Sequence, residues 1–114
     1  EMLKGVLSAN ARLLRASRAG RFKAAERAVN KGAWINVQDE EERTSIMWAA
    51  RKGSVMGVNL FVSKGALVNA RDRLGFTSFL YAVLSGSVEV VSILHHNNAD
   101  VHVRSYFGHS ALHL

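Results

Sequence analysis

With 114 residues, a hydrophobic share of 48% and a charged share of 21%, the chain has room for one compact domain and apolar surface enough to fold it, which excludes a disordered tail. There is no cysteine, so disulfides, thiolate nucleophiles and cysteine metal sites are excluded, and no apolar run approaches the roughly 20 residues of a membrane span. The net charge of +6 is uneven, with eight of the 15 Lys and Arg in residues 1–31, a field suited to nucleic acid, anionic lipid or an acidic partner, or simply to a solvated helical face.

Taken in chain order, residues 1–10 (EMLKGVLSAN) read as an N-terminal cap or a junction with a preceding segment, and residues 11–38 as a degenerate first unit. Residues 39–71 form a second unit, 72–104 a third, and 105–114 the start of a fourth. The second and third units share one plan. Thr44 and Thr77 suit helix N-termini, where the hydroxyl accepts a backbone N–H. A first helix is expected over about 45–52 and 78–85. Gly53 and Gly86 end it, and Ser54 and Ser87 cap a second helix over about 55–63 and 88–96. Its apolar residues, among them Val55, Val58, Phe61 and Val62, recur at three and four residues. Extended stretches at Leu67–Ala70 and Asp100–Val103 then lead through a glycine turn into the next unit.

A period of 33 residues unites these elements. Thr44, Thr77 and Ser110 are each separated by 33, as are Ala16, Ala49 and Ala82. The same step relates Gly20, Gly53 and Gly86, then Ala33, Ala66 and Ala99, and the less uniform sets Asn36–Asn69–His102 and Asp39–Asp72–Ser105. A fixed register of this kind marks units that stack because none can bury its apolar face alone.

The segment D-R-L-G-F-T-S-F-L-Y-A-V-L-S-G-S-V-E-V-V-S-I-L from Asp72, and E-R-T-S-I-M-W-A-A-R-K-G-S with K-G-A-L-V-N before it, resemble the ankyrin repeat. The resemblance covers about residues 11–114 and implies an all-α solenoid of stacked helix-turn-helix units joined by β-hairpin-like loops. Departures are visible. The family's proline is Ser45, Ser78 and Ala111, and its histidine is Met47 and Leu80, so the usual side-chain ties are expected only at His113. Glu42 occupies a turn-glycine slot and should cost about 1 kcal/mol at positive φ. Leu112 and Leu114 have no following unit to cover them, which reads as a fragment or as a chain with further residues.

The resemblance also implies a partner protein held by the concave face and hairpin tips. Carried onto this sequence, those slots hold Arg43, Trp48, Arg51, Lys52, Arg71, Arg73, Phe76, Tyr81, Arg104, Tyr106 and Phe107, with Arg18 and Leu74 beside them. Arg and aromatic groups dominate protein–protein hot spots. Phe76, Tyr106 and Phe107 are placed at turn tips, whereas Trp48 and Tyr81 sit at the edge of the core, where packing alone accounts for them. The alternative is nucleotide or RNA binding, with the same Arg cradling phosphates and the rings stacking on bases. A third reading is a spacer within a longer array. No catalysis, cofactor or metal is expected. No phosphate loop, nucleophile elbow or carboxylate pair is present, the acidic run Asp39–Glu42 lacks alternating oxygen ligands, and His109 and His113 have no third ligand suitably placed. With no secretory signal, direct membrane insertion is not expected, and the expected setting is intracellular, cytoplasmic or nuclear.

Overall fold

The computed structural model describes residues 2–114, Met2 by its backbone only; Glu1, counted above with the N-terminal cap, lies outside the described residues. Six helices follow in order: α1 (Met2–Ala19), α2 (Phe22–Asn30), α3 (Ser45–Arg51), α4 (Val55–Ser63), α5 (Ser78–Ser85) and α6 (Val88–His96), before a 3-10 turn at Ala111–His113. They pair as three helical hairpins stacked along a body of 47 × 25 × 22 Å. α1, α3 and α5 form one layer, and α2, α4 and α6 the other. α1 runs unbroken through residues 2–19, so most of the N-terminal segment belongs to the first helix.

The local chemistry follows the period. Ser54 accepts the Gly57 N–H at 2.9 Å and Ser87 the Val90 N–H at 3.3 Å, as N-caps should. Thr77 accepts the Leu80 N–H at 3.4 Å. Thr44 departs from expectation: its buried hydroxyl has no hydrogen-bond partner, and its own N–H meets Met47 Sδ at 3.4 Å. Sulfur is a weak acceptor, so this junction is held less well than its neighbours. At the equivalent position Leu80 has nothing to offer, while His113 Nδ1 accepts the Ser110 N–H at 3.2 Å, so the side-chain tie is restored there. Nine of the described residues take positive φ, and they are the three copies of three columns, with Glu42 (62°) and Asn98 (68°) standing where the other copies have glycine.

The expected extended stretches before each turn are instead tight turns. Ala70 N–H bonds Leu67 O at 3.3 Å, and no strand forms among the described residues. The reason lies in the Asn36–Asn69 column. Asn36 Oδ1 takes the Leu67 N–H, and Asn69 Oδ1 the Asp100 N–H, each at 2.8 Å, so each turn is tied to the next unit instead of running on as a strand. The loops are hairpin-like all the same: Asp39, Asp72 and Ser105 each donate N–H to the carbonyl four residues on at 2.8–3.0 Å.

One core runs the length of the stack. Leu13, Ile46, Met47 and Leu80 fill the first-helix layer, and Val58, Phe61, Val90 and Leu94 the second, all essentially buried. In the first hairpin the second-layer column shrinks to Ala25 and Ala28, and Phe22 compensates, its ring edge-on to Phe61 at 5.9 Å. No helix among the described residues is long and apolar enough to cross a membrane.

Candidate functional site

The loops that connect the hairpins are built around one side-chain oxygen each. Asp39 Oδ1 accepts the N–H of Glu41 and of Arg43, and Asp72 Oδ1 accepts those of Leu74 and Phe76, all at 2.9 Å. Ser105 Oγ repeats the pattern with Phe107 (3.2 Å) and His109 (3.1 Å). The loops then bond each other in register, Arg73 N–H to Glu41 O and Tyr106 N–H to Leu74 O, each at 3.0 Å. A rigid edge results, with side chains aligned beside the first-helix layer.

Asp72 has a second task. It is 2% exposed, its Oδ2 accepts the Tyr81 hydroxyl, and the same oxygen lies 3.7 Å from Arg43 Nε. Burial, reinforced by the Asp72 carboxylate, raises the Tyr81 pKa to about 12. For Arg43, burial works against the charge, but the contact with Tyr81 and the carboxylates of Asp72 and Asp39 outweigh it and raise its pKa. For Asp39, burial again opposes ionisation, yet hydrogen bonds from the Arg43 and Glu41 N–H groups and from Arg18 leave its pKa below the ordinary carboxylate value.

Above this network sits Trp48. Three guanidinium groups converge on its indole, with Arg18 at 5.4 Å and Arg43 and Arg51 at 5.3 Å from the ring centroid. Cations over an indole face are attracted by its quadrupole. The indole Nε1–H lies toward Asp39 but meets no acceptor at hydrogen-bonding geometry. Arg18 pairs with Asp39 at 3.3 Å and Glu40 at 3.7 Å, and Arg43 with Asp72. Arg51 and its neighbour Lys52 are exposed and make no ion pair among the described residues. A partly buried aromatic ring thus lies under three guanidinium groups, of which Arg51 has no carboxylate partner among the described residues.

A second cluster lies along the loop edge. Arg71 stacks on Tyr106 at 5.3 Å and donates to Arg104 O at 3.0 Å, while Arg104 donates to Gly108 O at 3.4 Å. Arg73 bonds Glu40 O and pairs with Glu41 at 3.6 Å. Tyr106 and Phe107 are 66% and 69% exposed. Two expected contact residues are placed otherwise. Phe76 is 9% exposed and turns inward against Tyr81 at 5.2 Å, because Asp72 holds its N–H and folds the loop over it; it is not a free tip. Tyr81 is 5% exposed and spent on Asp72. Among the described residues no three acidic or histidine side chains gather as a metal site, and His113 Nδ1 is engaged by Ser110.

A family model described as ankyrin repeats, in three copies, matches residues 13–105. The chain belongs to the ankyrin-repeat family. No curated protein matches it by sequence. Ankyrin repeats are generally protein–protein interaction modules, and the helical-hairpin stack seen here is their architecture. What marks this ankyrin domain is the guanidinium cluster on Trp48. The sequence singles out Arg18, Arg43, Trp48 and Arg51 as separate contact slots, but gives no sign that three guanidinium groups meet on one ring, since the last turn of α1 reaches α3 only through stacking.

Proposed function

We propose that this ankyrin domain binds a segment of a partner protein through the face that the first helices share with the loops. The contacts are Arg43, Trp48, Arg51, Lys52, Arg71, Arg73, Arg104, Tyr106 and Phe107. The observation that carries the reading is a partly exposed indole under three guanidinium groups, of which the exposed Arg51 has no carboxylate partner among the described residues, with the equally exposed and unpaired Lys52 next to it in sequence. Carboxylates of an acidic segment would pair bidentately with the guanidinium groups and as simple ion pairs with Lys52, while Tyr106 and Phe107 supply exposed aromatic area of the hot-spot type. Nucleotide or RNA binding is the weaker reading. Its bases would need open rings, whereas guanidinium groups already occupy the Trp48 faces and Arg71 lies on Tyr106, which leaves Phe107 alone for stacking. The setting we propose is intracellular, cytoplasmic or nuclear.

Affinity capture followed by mass spectrometry tests this. The wild type is compared with Arg51→Glu/Lys52→Glu and with Tyr106→Ala/Phe107→Ala, all exposed changes, with helicity checked by circular dichroism. Loss of the same partner with both variants supports the face; a partner retained by both refutes it. Capture of RNA in a steeply salt-dependent manner would replace protein by nucleic acid as the ligand.

A further inference from the structure

The end of the stack formed by α1 and α2 carries a groove of about 620 Å³ that has only Arg18 in common with the face described above. Its rim is Arg12, Arg15, Arg18, Arg21, Arg27 and Lys31, and no acidic side chain among the described residues lines it. Only Arg18 makes an ion pair among the described residues, and all six cations are exposed. The floor is alanine, with Ala16 and Ala28 buried and Ala19 and Ala24 at its sides.

The period tells what this surface is shaped to receive. Shifted by 33 residues, Arg12 becomes Ser45, Ala16 becomes Ala49, Ala24 becomes Gly57, and Arg27 and Ala28 become Leu60 and Phe61. In the second unit that same face seats the preceding helical hairpin, α1 against α3 and α2 against α4. Contact there is close: a Cβ on Gly57 would come within 3.0 Å of both Ala49 and Phe22. On the first unit the equivalent surface keeps the small floor, but its contact residues are exchanged for cations. Mixed charge would serve a surface that only needed to be wetted, whereas a field of one sign works against the compact state. The groove contains no aromatic ring on which a nucleic-acid base could stack.

We infer that the alanine-floored groove between α1 and α2 is a second docking site, which takes an acidic amphipathic helix of a partner protein. The helix lays its small apolar face on Ala16, Ala24 and Ala28, and its flanking carboxylates meet Arg12 and Arg15 on one side and Arg27 and Lys31 on the other. This site is independent of the Trp48 face and shares with it only Arg18.

The test uses a fluorescent 16-residue peptide with Ala and Leu at helical spacing flanked by Glu, titrated by anisotropy against the whole 114-residue chain. A sequence-scrambled peptide of equal composition and a DNA duplex serve as controls. The helical peptide should bind at least about tenfold more tightly than either control. Arg15→Glu/Arg27→Glu should abolish its binding, and a peptide with Lys for Glu should bind that variant instead. Asn59→Glu/Ser92→Glu, exposed on α4 and α6 outside both proposed sites, should leave the affinity unchanged. Equal binding of the scrambled peptide or the duplex, or binding that survives Arg15→Glu/Arg27→Glu, overturns the inference. Because all the substituted side chains are exposed, unchanged helicity of the variants keeps either result interpretable.

Discussion

Replacing Asp72 by Ser and by Ala separates the two tasks of one carboxylate. Oδ1 holds the N–H groups of Leu74 and Phe76, and Oδ2 holds the Tyr81 hydroxyl and faces Arg43. Serine should keep the first task, because Ser105 performs it in the next loop at 3.1–3.2 Å. It loses the second, leaving a buried hydroxyl and a partly buried guanidinium without their acceptor, which should cost about 2 kcal/mol. Alanine loses both. The Leu74 N–H can turn to water, but that of Phe76 is buried, so a further 1–2 kcal/mol is expected, for a total of roughly 3–4 kcal/mol. Urea unfolding followed by circular dichroism reads both values, with equal slopes if only stability has changed. Ser and Ala variants equal within about 0.5 kcal/mol would refute the claim that this oxygen builds the loop.

Three further outcomes follow from the same geometry. Glu42→Gly removes the strain of a positive φ of 62° and should raise stability by about 1 kcal/mol, a melting temperature higher by about 4 °C in calorimetry; a fall would mean that the Glu42 side chain stabilises the turn. Folding holds the Tyr81 proton with a pKa of about 12, against 10 for the free group, so its stabilisation is complete below pH 10 and is lost as pH rises through 12. The loss should approach 2 kcal/mol in denaturant titrations across that range, and Tyr81→Phe should flatten it. Gly57→Ala drives a methyl group to 3.0 Å from Ala49 and Phe22 and should destabilise by about 1 kcal/mol despite the better helix former; thermal unfolding that rises instead would show that α2 and α4 have slack between them.

The stack was legible because a repeated unit repeats its punctuation. Gly53, Gly86, Ser54 and Ser87 each perform the local task that their residue type suggests, and Glu42 takes the positive φ that its column demands. The Asp39–Asp72–Ser105 column was visible as a pattern but silent as chemistry, since two backbone donors reach one oxygen only once the loop has closed. Phe76 was misplaced for a related reason. A large apolar residue beside a turn glycine looks like a tip, whereas Asp72 folds the loop so that its ring faces Tyr81. The convergence on Trp48 was beyond sequence reach, because Arg18, Arg43 and Arg51 come from a helix end, a loop and another helix. The groove of α1 and α2 appeared only as an excess of charge, because its alanine floor depends on how the two helices pack.

The binding face is tested most directly by photo-crosslinking in cells from single positions of the chain. A photoreactive amino acid is placed at positions 51, 104 and 107 on the proposed face, and at exposed positions 56 and 92 on the second-helix layer. One partner protein should be trapped from 51, 104 and 107 and from neither 56 nor 92. Crosslinks arising mainly from 56 and 92 would contradict the assignment of the face.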